Sequence, residues 1–322
     1  MELFCNNKRG TTTGPIVVSL MKYYIAGNRG LVGTHYSRVV SNSLGGNTST
    51  VDYNDPTSTY KEFKRLETLG SLPTHVIINA ATVGGLQEDL DKSYELMIKN
   101  LTIQNNIFNV CSLFNIDRVL LQGSTCSYPA NGSQPYSEDQ LMYGEPYKTY
   151  LPTAMPKLMG MYQCRAKNEK AGTHWRTAIN SNMFGPNDRT GEHAHVIGAL
   201  MQKFVTAVKE DYTEIEIWGS GNQSRDLIYI KDAINAMDII LNNNKYDTVN
   251  IASGEETSIR TLAETLKTIS GFKGRLRYNT DRPEGILNRS IDNSRLKELG
   301  WRPKYSLKAG LAETYEWYYD NT

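Results

Sequence analysis

The chain has 322 residues, with 35 basic and 34 acidic side chains and a formal net charge of +1. That balance excludes a whole-chain electrostatic case for nucleic acid or an anionic membrane as partner. Apolar residues make up 39% of the chain, enough for a sizeable core, and the mean hydropathy of −0.48 is that of a soluble protein. The four cysteines, Cys5, Cys111, Cys126 and Cys164, form no CxxC pair. They predict neither a disulfide framework nor a zinc site, and the expected setting is reducing and cytoplasmic.

Residues 1–20 are mostly polar, and Pro15–Leu20 is too short for a membrane span or a signal peptide. They read as a leader outside the fold. A strand over Lys22–Ala26 then leads into Gly27-Asn28-Arg29-Gly30-Leu31-Val32-Gly33 and a helix over about Gly30–Val40. A strand, a three-glycine turn and a helix N-terminus together make an anion cradle, because glycines allow close backbone approach and the free N–H groups face a phosphate. The spacing is GxxGxxG rather than GxGxxG, a weak signal alone that gains weight from the alternating elements behind it. A glycine-rich turn without a ligand is the competing reading.

A second strand is expected near Thr48–Tyr53, ended by Asn54-Asp55-Pro56, and a helix at Ser58–Leu69. His75–Asn79 is short, continuous and rich in β-branched residues, the pattern of a buried parallel strand. A long helix over Ser93–Phe114, a strand at Arg118–Gln122, a helix over Thr153–Ala171 and a strand at Trp175–Ile179 follow. This repeated order predicts an α/β, doubly wound parallel sheet of Rossmann type with a smaller C-terminal substrate-binding part. The expected division is a dinucleotide-binding domain over 21–180, rejoined by segments around 218–253, with 181–322 mostly binding substrate. Ligands of such sheets lie beyond the carboxyl ends of the strands, where Gly123-Ser124-Thr125-Cys126 falls.

Seven motifs in order carry a family resemblance over about residues 22–302. They are Ile25–Gly33, Asn79-Ala80-Ala81-Thr82-Val83-Gly84-Gly85, Gly123-Ser124-Thr125-Cys126-Ser127-Tyr128-Pro129, Asn182-Met183-Phe184-Gly185-Pro186, His195-Val196-Ile197, Trp218-Gly219-Ser220-Gly221 with Arg225-Asp226, and Arg282-Pro283-Glu284-Gly285. The chain resembles the extended short-chain dehydrogenase/reductases, and among them the GDP-L-fucose synthases. The resemblance implies a homodimeric enzyme that uses NADPH to convert GDP-4-keto-6-deoxy-mannose to GDP-L-fucose, first inverting two ring carbons and then reducing the ketone.

The residues also read on their own chemistry. A cation at a helix N-terminus opposes the macrodipole, so Arg29 calls for an anion, and the extra 2′-phosphate of NADP supplies one. Asp52 and Asp55 are alternative ribose ligands if the cofactor is NAD instead. Gly27, Arg29, Gly30, Leu31, Val32, Gly33, Ala80, Lys157 and Asn182 are the expected cofactor contacts. Ser124 ends a strand, where its hydroxyl can donate to a carbonyl or simply close a turn. Lys157 near a helix start needs a partner, and the resemblance assigns it the nicotinamide ribose. Cys126 and His195 match the family's base and acid for the inversions; a carbonyl acidifies the adjacent C–H, so a thiolate and an imidazolium on opposite faces can invert that carbon. The bland reading of Cys126 is a small buried hydrophobe. The run Glu192-His193-Ala194-His195 lacks the further ligands a zinc site requires, and no metal is expected. Arg225, Arg282 and Arg289 suit a diphosphate, although Arg289 and Arg295 also read as surface charges. Trp218 reads as a base-stacking ring or, more commonly, a core tryptophan.

One position departs from the family. The tyrosine expected four residues before Lys157 is Thr153, in Pro152-Thr153-Ala154-Met155-Pro156-Lys157. A phenol can protonate the alkoxide left by hydride transfer, whereas an aliphatic hydroxyl is far too weak an acid. Tyr147, Tyr150 and Tyr162 are the candidate substitutes, Tyr150 needing a special turn because it precedes Pro152. Two further readings stay open: a sugar-nucleotide epimerase with impaired reduction, and a non-catalytic NADP-binding regulator. Retention of Ser124, Cys126, Lys157 and His195 argues against the regulator, since a binding module needs no chemical groups.

Overall fold

The computed structural model describes residues 21–40, 43–82, 91–189, 194–282 and 286–322. The expected leader, residues 83–85 of the second motif, 190–193 and 283–285 lie outside them. Six parallel strands form the central sheet: β1 (Tyr23–Ala26), β2 (Ser43–Gly46), β3 (His75–Ile78), β4 (Arg118–Gln122), β5 (His174–Asn180) and β9 (Thr248–Ile251), in the order β2-β1-β3-β4-β5-β9. Parallel strands require crossovers, and helices supply them. They are α1 (Leu31–Val39), α2 (Pro56–Thr68), α3 (Ser93–Leu113), α4 (Leu151–Ala171) and α6 (Ile230–Asn242).

Alternation within the strands sorts the core onto two faces. Tyr23, Ile25, Ile77, Leu120 and Ala178 pack on one side with α6, α5 (Val196–Lys209) and α9 (Leu307–Asn321). Tyr24, Ala26, Val76, Ile78, Val119 and Leu121 pack on the other with α2 and α3. All four residues of β1 and of β3 are buried, which is why these strands read as continuous apolar runs.

Beyond β5 the chain builds two smaller sheets. β6 (Asn182–Phe184) and β10 (Glu256–Ser258) flank β8 (Ser224–Tyr229), and β7 (Glu214–Trp218) pairs with β11 (Arg275–Asn279). Helices α7 (Ile259–Ser270) and α8 (Ser294–Glu298) complete this part.

The second strand corrects the sequence reading. It is Ser43-Leu44-Gly45-Gly46, not Thr48–Tyr53. A Cβ at Gly45 would lie 2.7 Å from the Ile25 carbonyl oxygen, so the strand needs a residue that propensity scores against. Thr48–Thr50 form a turn, and Val51 and Tyr53 reach the core from a loop. The following helix starts earlier than expected, at Pro56. Asp55 caps it by accepting from the N–H groups of Thr57 and Ser58 at 2.8 and 3.1 Å.

Candidate active site

The glycine turn lies between β1 and α1 at the point where the strand order reverses. Gly27 takes φ +86°, and a Cβ there would meet the Ala80 nitrogen at 2.8 Å, so Ala80, just beyond β3, borders the turn. Gly33 packs so closely under the turn that a Cβ would stand 2.2 Å from the Gly27 oxygen. Gly30 caps α1 with no side-chain acceptor and no acidic residue in the first turn, and the space above its Cα is open. The N-terminal N–H groups of α1, starting at Leu31 and Val32, thus meet no capping side chain among the described residues. At the neighbouring end of β3, both polar atoms of the Asn79 amide are buried without a partner. A cradle a Cβ would fill and an orphaned amide beside it fit a dinucleotide.

Arg29 extends over the loop after β2, donating from Nη1 to Ser49 Oγ at 2.8 Å. Ser49 also donates to Asn47 Oδ1 at 2.5 Å. The carboxylates considered as ribose ligands do not stand at this strand end. Asp52 accepts from the Asn54 backbone N–H at 2.9 Å, which holds its carboxyl below the usual range, and Asp55 caps α2. The misplaced β2 explains the correction, since it moves the strand end from Tyr53 to Gly46. Ser49 went unrecognised because nothing local distinguishes it from other turn serines.

Ser124 and Cys126 lie in the tight turn at the carboxyl end of β4. The Cys126 backbone N–H donates to Ser124 Oγ at 3.2 Å. Helix α4, carrying Thr153 and Lys157, packs directly on this turn. Pro152 in its first turn sacrifices no hydrogen bond. The Lys157 residue keeps some exposed surface, yet burial dominates at its amine and lowers its pKa to about 8. No described residue pairs with it. Thr153 is half-buried, one turn before Lys157 on the same face.

Cys126 differs from the other thiols described. Cys111 and Cys164 are fully buried, and burial raises the former well above the ordinary thiol range and the latter to about 12. Cys126 is partly exposed, and Arg289 Nη1 donates to its Sγ at 3.6 Å. Arg289 is only 7% exposed, which corrects its reading as a surface charge. Its loop is laced to the segment before Tyr136: Ser290 N–H donates to Gln134 Oε1 at 2.7 Å and Tyr136 N–H to the Ser290 oxygen at 2.9 Å. Burial opposes the Arg289 charge, but the nearby Cys126 and Tyr150 outweigh it and raise its pKa.

Strand alternation aims Arg225 into the same group. Its neighbour Asp226 is buried and accepts from the N–H groups of Ser253 and Gly254, both at 2.8 Å, anchoring β8 to the end of β9. Arg225 points the other way and donates from Nη1 to the Ser224 and Ile286 oxygens at 2.6 and 2.7 Å. Burial and then the repulsion of Arg289 lower its pKa. Two partly desolvated guanidinium groups that repel each other, neither with a carboxylate partner among the described residues, are chemically suited to a multiply charged anion.

A second group lies at the end of β7. Trp218 is 54% exposed, which overturns its reading as a core tryptophan. Lys203 and Arg282 approach its ring at 5.4 and 5.1 Å, and Arg282 Nε stands 3.7 Å from Glu216. Arg282 is thus joined to Trp218 rather than to Arg225 and Arg289. Arg295 is engaged with Glu138 and Asp139 at 3.6 and 2.5 Å. Asn182 donates to the Asp226 backbone oxygen at 3.2 Å. His195 is exposed at the N-cap of α5, with Asp188 as the charge facing it; no hydrogen bond joins it to Cys126. His193 and Glu192 fall outside the described residues.

Doubly wound sheet, glycine cradle and a polar site beyond the strand ends define a dinucleotide-binding enzyme. A model of the NAD dependent epimerase/dehydratase family matches residues 23–252, and the chain belongs to that family. GDP-L-fucose synthase 1 of Arabidopsis thaliana is 33% identical over 304 residues, covering 93% of this chain and 94% of the relative. Among solved structures, a GDP-L-fucose synthetase from Naegleria fowleri superposes with TM-score 0.86 at 25% identity, covering 98% of each chain. A GDP-mannoheptose C4 reductase from Campylobacter jejuni, solved with NADP bound, gives TM-score 0.80 at 28% identity, covering 92% of this chain and 98% of that one. No described helix is long and apolar enough to cross a membrane.

Proposed function

We propose that this chain is an NADP-dependent epimerase/reductase of a GDP-linked 4-keto-6-deoxy sugar, converting GDP-4-keto-6-deoxy-mannose to GDP-L-fucose. The observation that carries the reading is the partly exposed Cys126 thiol, held 3.6 Å from Arg289 beside the helix of Lys157. A thiolate there removes the proton next to the sugar ketone, and His195 returns one to the opposite face. Ser124 Oγ donates to the carbonyl oxygen. Arg225 and Arg289 hold the diphosphate, and Trp218, flanked by Arg282, stacks on the base. Gly27 to Gly33 and Ala80 seat the dinucleotide, with Lys157 on its nicotinamide ribose. NADPH, when bound there, supplies the hydride that reduces the ketone.

Incubation with GDP-4-keto-6-deoxy-mannose and NADPH in deuterated water tests the assignment. Deuterium entering the sugar ring together with NADPH loss supports it. NADPH loss without exchange favours a pure C4 reductase like the mannoheptose enzyme. Exchange without NADPH loss leaves an epimerase with impaired reduction. Cofactor binding with neither reaction leaves a regulator.

The coenzyme preference rests on Arg29. One charge-assisted contact of about 1.5–3 kcal/mol gives NADPH a ~10- to 100-fold advantage over NADH. Titration of both cofactors into the parent and Arg29→Ala checks this. The variant is expected to lose the preference while keeping its affinity for NADH, and equal dissociation constants in the parent would refute the assignment.

A further inference from the structure

We propose that Tyr150 is the proton donor for ketone reduction, in place of the side chain at Thr153; this rests on the epimerase/reductase reading above. Tyr150 is the N-cap of α4 with near-helical dihedrals, φ −104° and ψ −3°. The turn that precedes Pro152 therefore carries it onto the helix. Positions 150, 153 and 157 are spaced three and four apart and share one face, so Tyr150 heads the stripe that holds Thr153 and Lys157.

Its ring lies against the site. The Arg289 guanidinium stands 5.2 Å from the Tyr150 ring centre, and the same side chain reaches Cys126 Sγ. Tyr150 also lies within electrostatic reach of Arg225. Tyr150 is half-buried, and its hydroxyl has no hydrogen-bond partner among the described residues. The other phenols nearby are occupied or turned away. Tyr128 donates to Asn250 Oδ1 at 2.6 Å, and Tyr136 to the Pro129 oxygen at 3.2 Å. Tyr162 is 44% exposed, against Arg165. Tyr147 packs edge-on to Tyr150 with ring centres 6.2 Å apart, one step further from the arginine.

The chemistry balances without another reactant. Once the ketone carbon has accepted hydride, its oxygen is an alkoxide. The Tyr150 O–H bond breaks, the sugar O–H bond forms, and a phenolate remains, with the Arg289 guanidinium against its ring, until water returns the proton. Inversion needs no such donor, because Cys126 and His195 carry its protons.

Tyr150→Phe tests this with GDP-4-keto-6-deoxy-mannose as the probe, alongside Tyr147→Phe and the double variant Tyr150→Phe/Thr153→Tyr. NADPH consumption, solvent-deuterium entry into the ring, and calorimetric dissociation constants for NADPH and GDP are measured on each. Tyr150→Phe is expected to lose about 100-fold or more of reduction while exchange and both dissociation constants stay within about twofold. Tyr147→Phe should match the parent, and the double variant should regain reduction through its phenol at 153. Reduction within threefold of the parent in Tyr150→Phe overturns the proposal. So does loss of exchange together with reduction, which makes Tyr150 a positioning residue for Arg289 and Cys126. A parent that exchanges but never reduces overturns the Tyr150 role and leaves the epimerase standing; a parent that does neither overturns both.

Discussion

Cys126→Ser is expected to slow solvent-deuterium exchange into the keto sugar by about 100- to 10,000-fold, the range over which a positioned acid or base contributes. Serine keeps the volume and the turn. The backbone N–H of residue 126 still donates to Ser124 Oγ, so the local fold survives. What disappears is the thiol, and an aliphatic hydroxyl is a far weaker acid than a thiol. Arg289 would then face a hydroxyl oxygen in place of the sulfur. Affinity for NADPH should stay within about twofold, since the cradle at Gly27–Gly33 belongs to a different strand end. The same exchange assay on His195→Gln separates the two faces. Persistence of exchange at the parental rate in Cys126→Ser would make the thiol a packing residue and remove the central support for the function proposed.

Lys157→Met is expected to stabilise the cofactor-free protein at pH 7 by about 3 kcal/mol. The physical origin is a buried ammonium with no partner among the described residues, whose pKa burial lowers from 10.5 to about 8. A tenfold change in a group's acidity corresponds to about 1.4 kcal/mol between its two protonation states. Below pH 8 both folded and unfolded chains carry the proton, and the folded state bears the full cost of burying it. Between about 8 and 10.5 the unfolded chain holds more protons, so stability of the parent rises with pH. Above that window both are neutral and the cost is gone. Urea unfolding of parent and Lys157→Met at steps from pH 7 to 10 should therefore show a gap that closes as pH rises. A gap that does not change with pH would mean that methionine acts by packing and that the amine is not buried as the structure places it. The buried charge serves the proposed reaction: a donor that pairs with no described residue is free for ribose hydroxyls, and NADP should stabilise the parent more than the variant.

The amino-acid sequence by itself determined the architecture wherever one residue's neighbours in the chain are also its neighbours in space. Continuous apolar runs within His75–Ile78 and Arg118–Gln122 declare buried parallel strands, and a glycine turn between a strand and a helix declares the cradle at Gly30. The family motifs, read in order, likewise placed Ser124, Cys126 and Lys157 on a turn and a helix that the fold does bring together. Ser43–Gly46 was illegible because Gly45 lies against the Ile25 backbone of the adjoining strand and Gly46 against the Tyr24 and Tyr53 side chains, contacts that local propensity does not register. Trp218 and Arg289 exchanged their expected places, the tryptophan exposed and the arginine buried, since burial depends on which loops fold over a residue and composition holds no record of that. Only the tertiary structure joined Arg289, from near the end of the chain, to Cys126 and Tyr150. Those residues lie up to 163 positions apart, and their common address is set by laced loops at Gln134 and Ser290 and by the first turn of α4. Local periodicity reports the face a side chain occupies; which charge it meets across that face is decided by packing between distant segments.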